Sequence, residues 1–332
     1  VSTVSRHVYE VDLAPVMGSV FQPTGFPDLG AATFQRCRQD GSAQNCLLVE
    51  SVQSMANRLE VTTWDTGTNQ QVEVLAGLPY VEVVTADDGR FLTSSRLEAH
   101  RLFSAFIRDA DWNGRPGDQV LLERLAMAAD RPLDYRAMAQ VIMALDPLSL
   151  LHGVFFAGKT RADKLRAGWP AQPKFTRAVS AVIEAYDVSR VVSGGRKSDS
   201  VRHRLDEASE GGTAEGYGSV PFQRTEWTAS RIVASFVVDT QLIASYGLPR
   251  PAADLLEALA LWEIRSLLST GLRLRTACDL DVVAGIVVKR GQPLPELEEL
   301  TTRLRRAIAD CGDVLGDGKP VTLTWSAKAA SK

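Results

Sequence analysis

Ile232-Val233-Ala234-Ser235-Phe236-Val237-Val238-Asp239 alternates like a strand, and the four elements after it decide the fold class. Asp254–Leu268 is apolar almost all round, opened by Pro251 and closed by Gly271, as a buried helix would be. Val282–Lys289 predicts a strand. Glu296–Cys311 predicts an amphipathic helix through Leu297, Leu300, Leu304 and Ile308, its acids leading and its arginines trailing to suit the helix dipole. Val321–Trp325 predicts a last strand. Strand, helix, strand, helix, strand is an α+β pattern of the ferredoxin-like kind, and Ile232–Trp325 is expected to form its own core.

Upstream, residues 6–13 predict a first strand, and Phe21–Gly30 reads as a loop punctuated by proline and glycine. Leu48, Val52, Met55 and Leu59 recur at helical spacing, which predicts a helix over Leu47–Leu59. Tyr80–Thr85 and Arg90–Thr93 predict a hairpin turned at Asp87-Asp88-Gly89. Ser95-Arg96-Leu97-Glu98 has the form of a capping box, so a helix is expected beyond it with Arg96, His100, Ser104 and Arg108 in one stripe. Helices are expected near Val120–Ala129 and over Tyr135–Leu145, then a strand over Leu150–Ala157; Ala178–Val192 fits helix or strand, and its valines, isoleucine and entry into a glycine turn favour strand.

At 332 residues, with 45% apolar residues and a mean hydropathy of −0.06, the chain can bury a full core as one large domain or two. No run approaches the roughly 20 apolar residues of a membrane span, and the N-terminus carries no signal-peptide pattern. Val1 stands where Met would open a chain, so a few leading residues are expected before it. Cys37, Cys46, Cys278 and Cys311 lack metal or redox spacing, and idle thiols are favoured over a Cys37–Cys46 disulfide. His7, His100, His152 and His203 are scattered, so no metal site is expected. Gly194-Gly195-Arg196-Lys197-Ser198 departs from the phosphate-binding loop, because Arg196 separates the glycine from the lysine. No cofactor motif and no nucleophile elbow is present.

Charge is uneven. Between residues 158 and 204 stand eleven bases against four acids, in a chain whose formal total is −3. Such a stretch suits a polyanion, and the glycines from Gly194 to Gly218 suit a projection rather than a helix. Basic and aromatic residues on a projection fit single-stranded nucleic acid. The candidates there are Lys159, Arg161, Arg177, Arg196, Lys197, Arg202 and Arg204. Two polar helix faces join them: Gln53, Ser54, Asn57 and Arg58 on one, Arg96 and His100 on the other. Amides, hydroxyls and arginines are the groups that contact phosphate and sugar. A solvated loop and hydrogen-bonded structural faces are the plainer alternatives.

Several blocks resemble a known family. They are Val16–Gly30, Leu48–Glu60, Leu92–Leu102, Asp146–Ala157 and Leu272–Leu280, and they resemble the type I-G (formerly I-U) backbone subunit of CRISPR surveillance (Cascade) complexes, in the RAMP superfamily. The resemblance implies a single RAMP domain over 1–332, with a ferredoxin-like (RRM-type) palm whose C-terminal part spans 228–327. It implies a helical finger insertion over about 108–150 and a thumb-like insertion over about 190–226. It further implies a cytoplasmic, non-catalytic subunit that polymerises along crRNA beside other Cascade subunits and presents it to the target DNA strand. Two rivals stay open: a RAMP endoribonuclease using His100 or His203 on guide precursor, and a scaffold that binds only protein.

Overall fold

The computed structural model describes residues 4–26, 29–128, 130–157, 169–199 and 218–326. In His7–Pro15 (β1) every second side chain from His7 to Leu13 is buried and those between are half-exposed. Thr33–Cys37 (β2) and Ala43–Glu50 (β3) pair as a hairpin, and Val52–Val61 (α1) follows directly. Val81–Thr85 (β4) and Phe91–Ser94 (β5) form the second hairpin where the sequence places it. Four helices come next: Ala105–Asp109 (α2), Gly117–Arg124 (α3), Tyr135–Leu145 (α4) and Leu148–Leu151 (α5). Then come Val179–Tyr186 (β6), Ser189–Asp199 (β7), Gly218–Thr228 (β8) and Arg231–Val238 (β9). The last third holds Thr240–Ser245 (α6), Arg250–Thr270 (α7), Leu272–Arg275 (β10), Cys278–Val282 (β11), Val287–Arg290 (β12), Leu297–Cys311 (α8) and Val321–Trp325 (β13).

The main sheet runs β10-β11-β1-β9-β6-β3-β2, with β12 also on β1, and its pairs are all antiparallel. Helix α1 packs on it through β6, and α7 through β9. Helix α7 is buried on nearly every side, and Trp262 Nε1 donates to Thr301 Oγ1 on α8 at 3.0 Å. Among the described residues no helix is long and apolar enough to cross a membrane.

The α+β class holds, but the last third does not close on itself. Strand β9 lies between β1 and β6, and β13 leaves for a three-stranded sheet where it runs parallel to β4. The strand-helix-strand-helix-strand pattern expected over Ile232–Trp325 therefore divides between two sheets, its first strand in the main one and its last in the other. Three other expectations change. Residues 47–50, expected to start a helix, are the end of strand β3, because β3 is paired on both sides, by β2 and β6. Val282–Lys289 divides into β11 and β12, which pair with successive parts of β1. Leu150–Ala157 contributes the end of α5 and only a two-residue strand, Val154–Phe155.

The capping box after β5 opens no helix. Ser95 Oγ accepts from Val81 N at 3.2 Å and Glu98 Oε1 from Thr93 Oγ1 at 2.7 Å, so both side chains serve the hairpin. The chain passes instead into a single 3-10 turn at Arg101–Phe103. Six ionisable side chains meet in the interior near this turn. Arg101 forks onto Glu60 of α1 at 2.6 and 2.7 Å and donates to Gly153 O at 2.9 Å. Arg96 lies 3.2 Å from Asp146, the C-cap of α4. His152 Nε2 lies 3.0 and 3.1 Å from the two oxygens of Glu263 on α7.

Burial raises the Glu263 carboxyl well above its ordinary 4.5 and lowers the His152 imidazole below its ordinary 6.5, so both favour a neutral pair. For Glu263, with its folded value raised, the stabilisation is complete below pH 4.5 and is lost as pH rises. For His152, lowered on folding, it is complete above pH 6.5 and is lost as pH falls. The two oppose each other between those values, and above pH 6.5 only the Glu263 loss remains. Calorimetry should find wild-type Tm falling from pH 6.5 to alkaline pH. Glu263→Gln, which mimics the neutral acid, should keep the wild-type Tm near pH 6 and remove that fall. An unchanged alkaline slope in the variant would show that Glu263 is ionised in the fold.

Candidate nucleic-acid interface

Strands β6 and β9 pair from Val179–Val238 to Tyr186–Arg231 inside the main sheet. Past Asp187 and Ser230 the same two segments continue as β7 and β8, from Ser189–Thr228 to Asp199–Gly218, outside it. Ten steps of about 3.3 Å make this ribbon about 33 Å long. Asp187 forms the joint at a φ of +50°, a backbone region that disfavours side chains. Its carboxylate accepts from Gln44 at 2.9 Å and from Ser230 at 3.1 Å and pairs with Arg38, and these contacts lower its pKa, Gln44 foremost.

Of the glycines expected to exclude a helix, Gly194 and Gly195 lie within strand β7 and Gly218 opens β8, while Gly211, Gly212 and Gly216 lie outside the described residues. Gly195 pairs with Phe222, and a Cβ there would come within 2.7 Å of the Phe222 ring. Register then sorts the ribbon's side chains, since paired residues share a face and neighbours alternate. One face carries Arg190, Val192, Arg196, Gln223, Thr225 and Trp227. The other carries Ser193, Phe222, Arg224 and Glu226, with Ser193 Oγ donating to Glu226 at 3.1 Å. The first face is the one free of acids, and its root turns toward the Gln22–Ala31 segment across a groove of about 960 Å³.

A second groove, of about 570 Å³, lies between α1 and the end of α7 and is lined in part by Ser54, Asn57, Arg58 and Arg273. Ser51 caps α1 by accepting from Ser54 N at 3.2 Å, which leaves Gln53 and Asn57 exposed and Ser54 and Arg58 half-buried. Between the two grooves stands Glu50, 1% exposed at the end of β3. It accepts from Ser54 Oγ, from Arg58 Nε at 3.2 Å and from Arg275 Nη2. Arg58 also donates to Leu274 O at 2.6 Å, and Arg275 to Gln22 O at 2.7 Å. Arg58 lines the second groove and Arg275 the first. Among the described residues neither groove is lined by a carboxylate.

The structure thus brings Ser54, Asn57 and Arg58 to one groove and sets Gln53 beside it, bonded to a half-buried Arg177 whose pKa burial lowers. Arg196 is exposed on the ribbon's acid-free face. Arg96 is corrected: it is 2% exposed, held by Asp146 and Pro79 O, and meets no solvent. His100 is exposed but precedes the 3-10 turn, apart from any stripe with Arg96. Lys159, Arg161, Arg202, His203 and Arg204 lie outside the described residues, as does the Lys197 side chain. Sequence reading missed Glu50, Arg190, Trp227, Arg273 and Arg275. The alternation in Leu272-Arg273-Leu274-Arg275 was an available signal, because it buries both leucines and turns both arginines outward.

The profile of CRISPR-associated protein GSU0053 matches residues 8–190, more than half of the chain. No curated protein matches by sequence. Two solved structures are similar at 10% identity. One is a chain of a CRISPR RNA-guided surveillance complex in a pre-nicking state, with a TM-score of 0.36 over 83% of this chain and 76% of that one. The other is the crystal structure of Thermofilum pendens Csc2, with a TM-score of 0.29 over 94% and 81%.

The joint at Asp187 can be tested separately from the main sheet. Asp187→Asn tolerates positive φ and keeps an accepting oxygen, so proteolysis of the ribbon should stay near wild type. Asp187→Ala loses the acceptors and keeps the strain, so cleavage between residues 187 and 230 should quicken while Tm changes little. Equal cleavage in both variants would remove Asp187 from the joint.

Proposed function

The chain belongs to the CRISPR-associated protein GSU0053 family, and on that premise we propose that it binds guide RNA as a backbone subunit of a type I-G CRISPR surveillance complex. The observation that carries this reading is the surface, free of acids among the described residues, that runs from the α1 groove past Arg58 and Arg275 to the Arg190–Arg196 face of the ribbon. Guanidinium, hydroxyl and amide groups suit the phosphates and sugars of any sequence. Trp227, half-exposed at the ribbon root, adds a flat surface for a base. In this reading the subunit is a cytoplasmic RAMP protein, with the helices over 105–151 as finger and the ribbon as thumb. Copies line up along one crRNA with other Cascade subunits and hold it for pairing with a target DNA strand. The subunit itself does no chemistry on the RNA.

The purified protein should carry discrete guide-length RNA, visible in its absorbance ratio and on a gel of extracted nucleic acid. Scrambled single-stranded RNAs of one length should bind within a few-fold of one another. Arg190→Ala and Arg196→Ala, on the acid-free face, should each weaken binding and flatten its salt dependence by about one unit of slope. Arg224→Ala, on the opposite face, should do neither. Equal effects from all three would mean that the ribbon's faces are not distinguished. RNA-free protein without affinity for single strands would overturn the function, and metal-independent cleavage lost on His100→Ala would replace it with a processing enzyme.

A further inference from the structure

We infer that Arg58 and Arg275, locked by the buried Glu50, form a preorganised clamp for one phosphodiester of a single strand passing between the two grooves. The inference rests on the RNA-binding reading and adds to it a site and a positioning residue.

Exposure supplies the first reason. Arg96 and Arg101, which are also held by buried carboxylates, have side chains 0% and 4% exposed, and their donors face only protein. Arg58 and Arg275 are each 26% exposed, while their shared carboxylate is 1% exposed. Buried charge on the acid and open charge on the bases is the opposite of a structural ion pair closed to water. One acid between two bases also leaves the cluster with a net positive charge.

Geometry supplies the second. Each guanidinium carries five N–H donors in a fixed fork, more than Glu50, Leu274 O, Gln22 O and Val49 O occupy. Because these contacts hold both side chains, a phosphate arriving between the grooves would find the forks already placed, and little rotamer entropy would be lost on binding. The grooves on either side give the strand a way in and a way out, and among the described residues no carboxylate lines them.

Glu50→Gln makes the discriminating test, because charge and positioning predict opposite results. Removing an acid raises the positive charge of the surface, so charge alone would tighten RNA binding. Loss of positioning should instead weaken it by about tenfold, as for one charge-assisted contact. Arg275→Lys keeps the charge and loses the fork, and it should weaken binding nearly as much as Arg275→Ala. The full-length variants would be titrated with a labelled single-stranded RNA of guide length, with Tm measured alongside. Should Glu50→Gln fail to fold, the comparison of Arg275→Lys with Arg275→Ala decides. Tighter or unchanged binding by folded Glu50→Gln, or wild-type affinity in Arg275→Lys, overturns the clamp and leaves the RNA-binding reading standing. Wild-type protein with no affinity for the strand removes that reading itself.

Discussion

Two buried arginines and the carboxylates facing them hold the helical half of the protein in place. Glu60 and Arg101 tie α1 to the turn beyond β5, Arg96 and Asp146 tie that turn to α4, and His152 with Glu263 ties α5 to α7. None of these groups has water to screen it, so removing one partner would leave a charge or a polar group stranded in the interior, a loss of about 3–5 kcal/mol for an ion pair. The constraint reaches the surface through α1. Its C-terminal end is fixed by Glu60 inside, so the same short helix presents Ser54, Asn57 and Arg58 from a rigid base.

Arginine therefore plays two parts, and burial separates them. Arg96 and Arg101 spend their donors on protein groups. Arg58, Arg275, Arg190 and Arg196 keep part of theirs toward solvent. Charge counting along the chain treats these residues alike, because nothing local distinguishes Arg96 from Arg58. The difference lies in which acid each one meets, and Asp146 is fifty residues away from Arg96 in sequence.

That explains where sequence reading succeeded and where it failed. Hairpins with strong turns, such as β4–β5, and helices with clear periodicity and caps, such as α4, α7 and α8, were legible because their signals are local. Leu47–Leu59 misled because Leu48, Val52, Met55 and Leu59 keep helical spacing across a strand–helix junction. Pairing of β3 on both edges overrides that pattern. Ser95 and Glu98 misled because a capping box and a hairpin brace use the same side chains. Partner choice was the least legible: the pairing of β13 with β4 joins Val321 to Val81, and no spacing within either strand encodes it.

The ribbon sets apart cationic side chains in a chain that is acidic overall. With a formal charge of −3, the protein as a whole does not attract nucleic acid, and attraction must come from surfaces smaller than the molecule. At physiological salt a charge is felt over about 8 Å, so distant acids do not cancel a groove that has none among the described residues. Strand geometry achieves the separation at no cost in net charge. Glu226 pairs with Val191 and falls on one face, while Arg190 and Arg196, six residues apart and so in the same phase of the pleat, fall on the other. Gly195 allows the Phe222 ring to lie on the face with Glu226, so that the bulky side chain does not crowd the arginines. A helix of the same composition would spread these residues around its circumference. The strand keeps a cationic line along one side, in phase with the groove at its root.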